Sequence, residues 1–242
     1  MRMKHIAAVA AMILLFAAAE GQTPATMPSI SFNPGAATAP ADTNADKAAT
    51  PEKLTATKAF AEAPAKVFPT LDRMTRLDMI DYFNSGSPKP SKNAFKGDSR
   101  ILSASDSQIT VQTSDVSDVE LSLIESGNDT IIMVISTLKT PADDSGVKFY
   151  TTRWKEIDKG LFIVPLLDDW IKPEGKGRKA DLENAVPFML ARFSYAPETG
   201  TMTLTNNLGG FLPEEDTVWA GGLLHSKLVY KWNGKKMVKV KK

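Results

Sequence analysis

Two aspartates, Asp78 and Asp81, stand three residues apart in the stretch LDRMTRLDMIDYFNSG, residues 71–86. On a helix they lie about 60° apart, and such a carboxylate pair can do acid–base work or hold a divalent ion. Leu71, Met74, Leu77, Met79, Ile80, Tyr82 and Phe83 point nearly all round the same axis, the pattern of a sandwiched helix. Arg73 and Arg76 project to the other side, where Arg76 can meet Asp72 as an i,i+4 pair. Buried aspartates here need donors from elsewhere, because an unpaired buried carboxylate is costly. Backbone amides, Arg100, Arg153 or Arg192 are the available sources. We expect that structural role for both aspartates.

The other chemistry-bearing clusters have plain readings beside the functional ones. Asp143-Asp144-Ser145-Gly146 could ligate calcium, but it lacks the spaced acids of a calcium loop, and turn chemistry accounts for it. Asp168-Asp169-Trp170 reads as a loop and Glu214-Glu215-Asp216 as a helix start. Gly175-Lys176-Gly177-Arg178 lacks the strand–loop–helix frame of a phosphate loop. Tyr150, Trp154, Trp170, Trp219, Tyr230 and Trp232 could line a groove, although strand aromatics are core by default. The binding candidates are therefore Arg76, Asp78, Asp81, Asp143, Asp144, Tyr150 and Trp154. No catalytic residue, metal ligand or cofactor is assigned.

Cysteine is absent, which excludes disulfides, thiolate nucleophiles and cysteine-ligated metals. Histidine occurs twice, as His5 and His225, so a histidine metal cluster or a Ser-His-Asp triad would rest on His225 alone. His225-Ser226 are neighbours in sequence, which says nothing of a triad.

The elements that must position these residues begin after residue 58. Arg2, Lys4 and the apolar run IAAVAAMILLFAAA (6–19), followed by small residues, have the parts of a secretory signal over residues 1–21. That run is short of the roughly 20 residues a membrane span needs. Residues 22–58, rich in alanine, threonine and proline, cannot bury enough surface to offset their ordering entropy and read as a disordered linker. Residues 59–242 suffice for one domain with its own core.

Within that domain the helix at 71–84 carries Thr70 as N-cap and ends at Asn84-Ser85-Gly86. Alternation then takes over. ILSA (101–104) and QITVQT (108–113) flank a hairpin turn. VELSLI (119–124) turns at SGND into TIIMVIST (130–137), whose unbroken apolar run reads as a strand buried on both faces. PADDSG leads into VKFYTTRW (147–154), and LFIVPLL (161–167) is a further apolar run. GKGRKADLEN (175–184) is a loop closing with a helical turn capped by Asp181. FMLARFSY and TMTLTN pair across Pro197–Gly200, and KLVYKW and KKMVKV pair across Asn233-Gly234. The fold class is α+β: mostly antiparallel hairpins, one main helix near the domain's N-terminus. KFYTTRW (148–154) and KLVYKW (227–232) rhyme, as two similar β-rich halves or as chance alternation.

Without residues 1–21 the chain holds 27 basic and 27 acidic residues, which gives no electrostatic case for nucleic acid or an anionic membrane. Ser226 to Lys242 holds seven lysines and no acid; lysine on a closing strand guards its edge.

TRLDMIDYFNSG (75–86), PADDSGVKFYTTRW (141–154) and YKWNGKKM (230–237) together resemble the uncharacterised exported Bacteroidales proteins grouped as domain of unknown function 3256. The likeness runs from about Phe60 to the C-terminus. It implies export, a single domain and a two-membrane host, and it carries over no reaction, cofactor or catalytic residue. We expect an exported protein, periplasmic or at the cell surface, with no membrane span once the signal is cleaved. Its leading role is a non-catalytic module binding an envelope protein or glycan. The competing roles are a glycan-directed carboxylate hydrolase using Asp78, Asp81 or the acids near 143 and 168, and a carrier for a small apolar ligand.

Overall fold

The computed structural model describes residues 53–157 and 160–241. The expected signal segment, and the expected linker up to residue 52, lie outside the described residues. The chain folds through α1 (Ala56–Glu62), α2 (Arg73–Asn84), β1 (Ser91–Lys92), β2 (Asp98–Ala104), β3 (Gln108–Ser114), β4 (Ser117–Ser126), β5 (Asp129–Leu138) and β6 (Asp144–Thr151). It continues through α3 (Leu167–Trp170), α4 (Lys179–Ala185), β7 (Ala191–Ala196), β8 (Thr201–Asn206), α5 (Glu214–Leu223), β9 (Lys227–Trp232) and β10 (Met237–Lys239). Strands β1 to β6 form an antiparallel meander in sequence order. Strands β7 to β10 form a second antiparallel meander of four. This is the α+β architecture expected, with each half of the domain closing its own sheet.

The apolar run of β5 explains the layering. Ile131, Met133 and Ile135 point into one core, while Ile132 and Val134 point into another. Successive strand residues face opposite sides, so a sheet apolar at every position must be covered twice. On one side lie α1, α2 and the turn between them, whose Ala56, Ala59, Phe60, Leu71 and Met79 pack on Ile109, Val111, Val119 and Leu121. On the other side the inner face of the four-stranded sheet (Phe193, Tyr195, Met202, Leu204, Leu228, Tyr230) closes the larger core with Trp170, Leu182, Ala220 and Leu224 from α3, α4 and the α5 end.

Helix α2 departs from its expected form. Asp72 is the N-cap, accepting a hydrogen bond from the Thr75 amide at 2.7 Å, so the helix starts after it and Thr70 lies outside. The helix is not sandwiched: Met74 is 65% exposed, and only Arg76 and Met79 are buried. Arg76 does not pair on the surface with Asp72. It turns inward, 2% exposed, and its guanidinium donates to the carbonyl of Leu71 at 2.8 Å and to those of Ala61 and Ala63. The last two belong to the unsatisfied C-terminal carbonyls of α1, so Arg76 joins the two helices. It also lies over the rings of Phe60 and Phe68, 6.0 and 5.8 Å from their centroids. Helix α1 itself includes Ala56, Thr57 and Lys58, from the stretch expected as linker. Asp181 is within the first turn of α4 and pairs with Arg178 rather than capping.

The two sheets meet through an edge. Strand β7 pairs with β8 on one side only. Its outward amides are taken by side chains of the six-stranded sheet: Ala191 by Asp144 at 3.3 Å, Phe193 by Ser145 at 3.0 Å, Tyr195 by Glu120 at 3.0 Å. Gln108 donates back to the Tyr195 carbonyl at 2.8 Å. Strand β7 therefore crosses the larger sheet from β6 toward β3, and its exposed ladder is satisfied by side chains instead of a partner strand.

Candidate functional site

Asp78 and Asp81 are exposed on the outer side of α2, and neither has a hydrogen bond or ion pair through its side chain among the described residues. The expectation that protein donors tie them off is corrected. The helix is held through Arg76 on the end of α1 and through Met79 in the core over the sheet, which leaves the aspartate side in solvent. The hollow of about 300 Å³ beside α2 is lined by Met79, Tyr82, Phe83, Lys89 and Arg100 among others, and by neither aspartate.

The other candidates separate into two places. Asp143 and Asp144 both serve β7. Asp143 pairs with Arg192 at 2.6 Å, and Asp144 caps the Ala191 amide. Arg192 also reaches Asp118 at 3.6 Å, and Lys139 holds Asp118 at 2.7 Å. Glu120 completes this joint. Burial pushes its carboxyl up to about 7, against the pull of the Tyr195 amide and the Arg192 charge. On the opposite face of the sheet, Tyr150 is buried and meets Trp154 with ring centroids 5.4 Å apart. Trp154 lies past the end of β6 in a left-handed backbone conformation, φ 59°, not on the strand. Tyr150 and Lys148 line a hollow of about 290 Å³ with Val67 and Val134. No two of the candidate acids face each other across these hollows. Among the described residues no group of three or more His, Cys, Asp or Glu side chains is placed to hold a metal ion.

A site that the sequence did not single out lies where β9 starts and β10 ends. A half-open groove of about 640 Å³ is lined by Leu228, Val229, Val240 and Pro173, with Lys227, Lys239, Lys241 and His225 around them. That volume falls within the range of small-ligand sites. Pro173 is placed by the 3-10 turn Pro173–Arg178, which α5 clamps: Lys172 donates its amide to the Leu223 carbonyl at 2.9 Å and its ammonium to Gly221 and Gly222. Gly175 permits that approach, since a Cβ there would sit 2.8 Å from the Leu223 oxygen. Lys239 is engaged by Asp169, through its carbonyl at 2.9 Å and its carboxylate at 3.5 Å. Lys227 and Lys241 have no acidic partner among the described residues. The lining thus joins apolar surface to cationic side chains and contains no acid. Its signal in the sequence was the lysine run after Ser226, which the edge-guard reading absorbed.

The model of the protein family of unknown function DUF3256 matches residues 52–237, most of the chain and nearly all of the folded region. The chain belongs to this family. Among solved structures, a domain of an uncharacterised protein from Porphyromonas gingivalis W83 is similar at TM-score 0.63 and 22% identity. The match covers 77% of this chain and 98% of that one, and it shows a shared fold alone. No curated protein matches. Family membership therefore fixes the architecture and leaves function to the site itself. Among the described residues of this DUF3256 chain, no helix is long and apolar enough to cross a membrane.

Proposed function

We propose that this DUF3256 chain is an exported binding module of the cell envelope, and that it holds its partner at the β9–β10 groove. The observation that carries this reading is the groove's composition: an apolar lining from Leu228, Val229 and Val240, and the lysines Lys227 and Lys241 without acidic partners. Such a surface suits a polypeptide segment with apolar and acidic side chains, since charge complementarity selects the partner and apolar burial holds it. The acids on which a hydrolase would rest are spent otherwise or stand alone: Asp143 and Asp144 on β7, Asp168 and Asp169 on Lys179 and Lys239, Asp78 and Asp81 in solvent. Export to the periplasm, or onward to the surface, is part of the same proposal and is supported by the composition of residues 1–21.

The test places a photo-reactive amino acid at Val240 in the full chain, expressed in its own host and cross-linked in intact cells. A protein adduct of defined mass is expected, and it should disappear when Lys227 and Lys241 are both changed to Glu. No adduct, or one indifferent to the charge reversal, rules the groove out. Intact mass of the same sample reads whether the first ~21 residues have been removed, as the signal reading requires.

A further inference from the structure

The free edge beside that groove says what form its occupant takes. In an antiparallel pair the amides of alternate residues point toward and away from the neighbour. Val240 donates to the Val229 carbonyl at 2.8 Å, so the amides of Met237, Lys239 and Lys241 point outward, away from β9. The first is taken by the Leu161 carbonyl at 2.7 Å. No acceptor meets the Lys239 or Lys241 amide among the described residues. At the other end of the same sheet, by contrast, the outward amides of β7 are all satisfied. One edge of this sheet is closed, while the other is met by the chain at Met237 and leaves the Lys239 and Lys241 amides open.

The side chains along the open edge alternate as well. Val238 and Val240 are exposed on the outer face, while Lys239 and Lys241 share the opposite face with Met237. Next to them the segment after Leu161 is anchored to β10 at both ends, by the Leu161–Met237 bond and by Asp169 on Lys239. Between those anchors Ile163, Val164 and Leu166 stand 80%, 54% and 75% exposed. A run of aliphatic side chains held in solvent beside unpaired strand amides is a feature that proteins ordinarily avoid.

Resting on the groove reading above, we propose that the β10 edge receives an extended acidic strand from a partner protein, added as a fifth strand to the four-stranded sheet. Main-chain hydrogen bonds to the Lys239 and Lys241 amides supply affinity. Cross-strand pairing sets the sequence: an acidic side chain beside Lys241, since the Lys239 ammonium is already held by Asp169, and apolar ones beside Val238 and Val240. The lysines also exclude the obvious wrong partner, since two copies of this edge would bring like charges together. Guarding the edge and selecting an acidic strand are the same device.

The experiment titrates the full chain, freed of its signal, with a synthetic acetylated peptide of alternating glutamate and valine. A second peptide of the same sequence is N-methylated at alternate residues, which removes strand pairing and keeps charge and apolar surface. Lys239→Pro removes the outward amide, and proline is tolerated on an edge strand; its fold is checked by circular dichroism. The unmodified peptide is expected to bind with affinity falling as salt rises, and tenfold or more weaker binding is expected for the N-methylated peptide and for Lys239→Pro. Equal binding of the two peptides overturns strand addition and leaves the groove reading standing. No binding of either peptide, with the Val240 cross-link still forming, overturns the acidic strand alone. Loss of that cross-link as well sinks both.

Discussion

Burying a guanidinium is tolerable only when most of its donors are met, and the two terminal nitrogens of Arg76 find main-chain carbonyls instead of a carboxylate, while its Nε is buried without a partner. Burial still pulls its pKa below the ordinary value. Arg76→Met leaves the oxygens of Leu71, Ala61 and Ala63 unpaired in a closed site and is expected to cost about 2–4 kcal/mol in urea unfolding. Arg76→Lys keeps the charge, yet a single ammonium cannot fork to both helices, so about 1–3 kcal/mol should still be lost. Asp78→Asn and Asp81→Asn, in solvent and unpaired, should move the midpoint by no more than about 0.5 kcal/mol. Coincident midpoints for wild type and both Arg76 variants would show that the joint is not held there. Sequence spacing put Arg76 within reach of Asp72, and that inference was sound for an isolated helix. It missed because the acceptors are the ends of another helix, 13 to 15 residues away in the chain. The aspartates drew attention through residue type alone, and type does not report which side of α2 the sheet would take.

Four hairpins were legible, because each is announced by its own turn: Ser105-Asp106-Ser107, SGND, Pro197–Gly200 and Asn233-Gly234 all join paired strands, whereas the tight β3–β4 turn and the short β1 were not read. The docking of β7 across the larger sheet was not. Glu120, Asp144 and Ser145 occupy polar positions of alternating strands, which from local pattern alone read as solvent-facing. Their acceptor role depends on a strand about 50 to 75 residues later. This joint carries a pH dependence whose sign is fixed by Glu120. Its carboxyl, ordinarily near 4.5, is raised to about 7 in the fold, so the folded state holds the proton more tightly than the unfolded chain. The stabilisation is full below about 4.5 and is lost as pH rises through about 7. Glu120→Gln keeps an oxygen for the Tyr195 amide and cannot ionise. At pH 5 its urea midpoint should match wild type. At pH 8 it should be the more stable by roughly 1–3 kcal/mol. A difference that stays constant between the two pH values would remove Glu120 as the titrating group.

For the molecule as a whole, the two-sided burial of β5 was visible in the sequence, and two cores follow from it. Where the folded unit begins was harder to see. Thr55 to Lys58 resemble the alanine- and threonine-rich stretch before them, and composition cannot distinguish an alanine in solvent from one chosen for close approach. In the structure Ala56 is fully buried, its amide donates to the Asp106 carbonyl at 2.8 Å, and the Thr55 side chain caps the Lys58 amide at 3.2 Å. These six residues from Lys53 to Lys58 fasten the start of α1 to the β2–β3 turn, and Arg76 joins the other end of α1 to α2. A chain starting at Ala59 loses a helix cap, worth about 1 kcal/mol, and a buried hydrogen bond of similar size. It also shortens a seven-residue helix whose stability comes from packing. We expect it to unfold about 2–3 kcal/mol more easily than a chain starting at Lys53. Hydrogen exchange should show the loss spreading into α2 while β7 to β10 keep their protection, because the smaller sheet packs on the opposite face of the larger one. Equal urea midpoints for the two chains would return residues 53–58 to the linker.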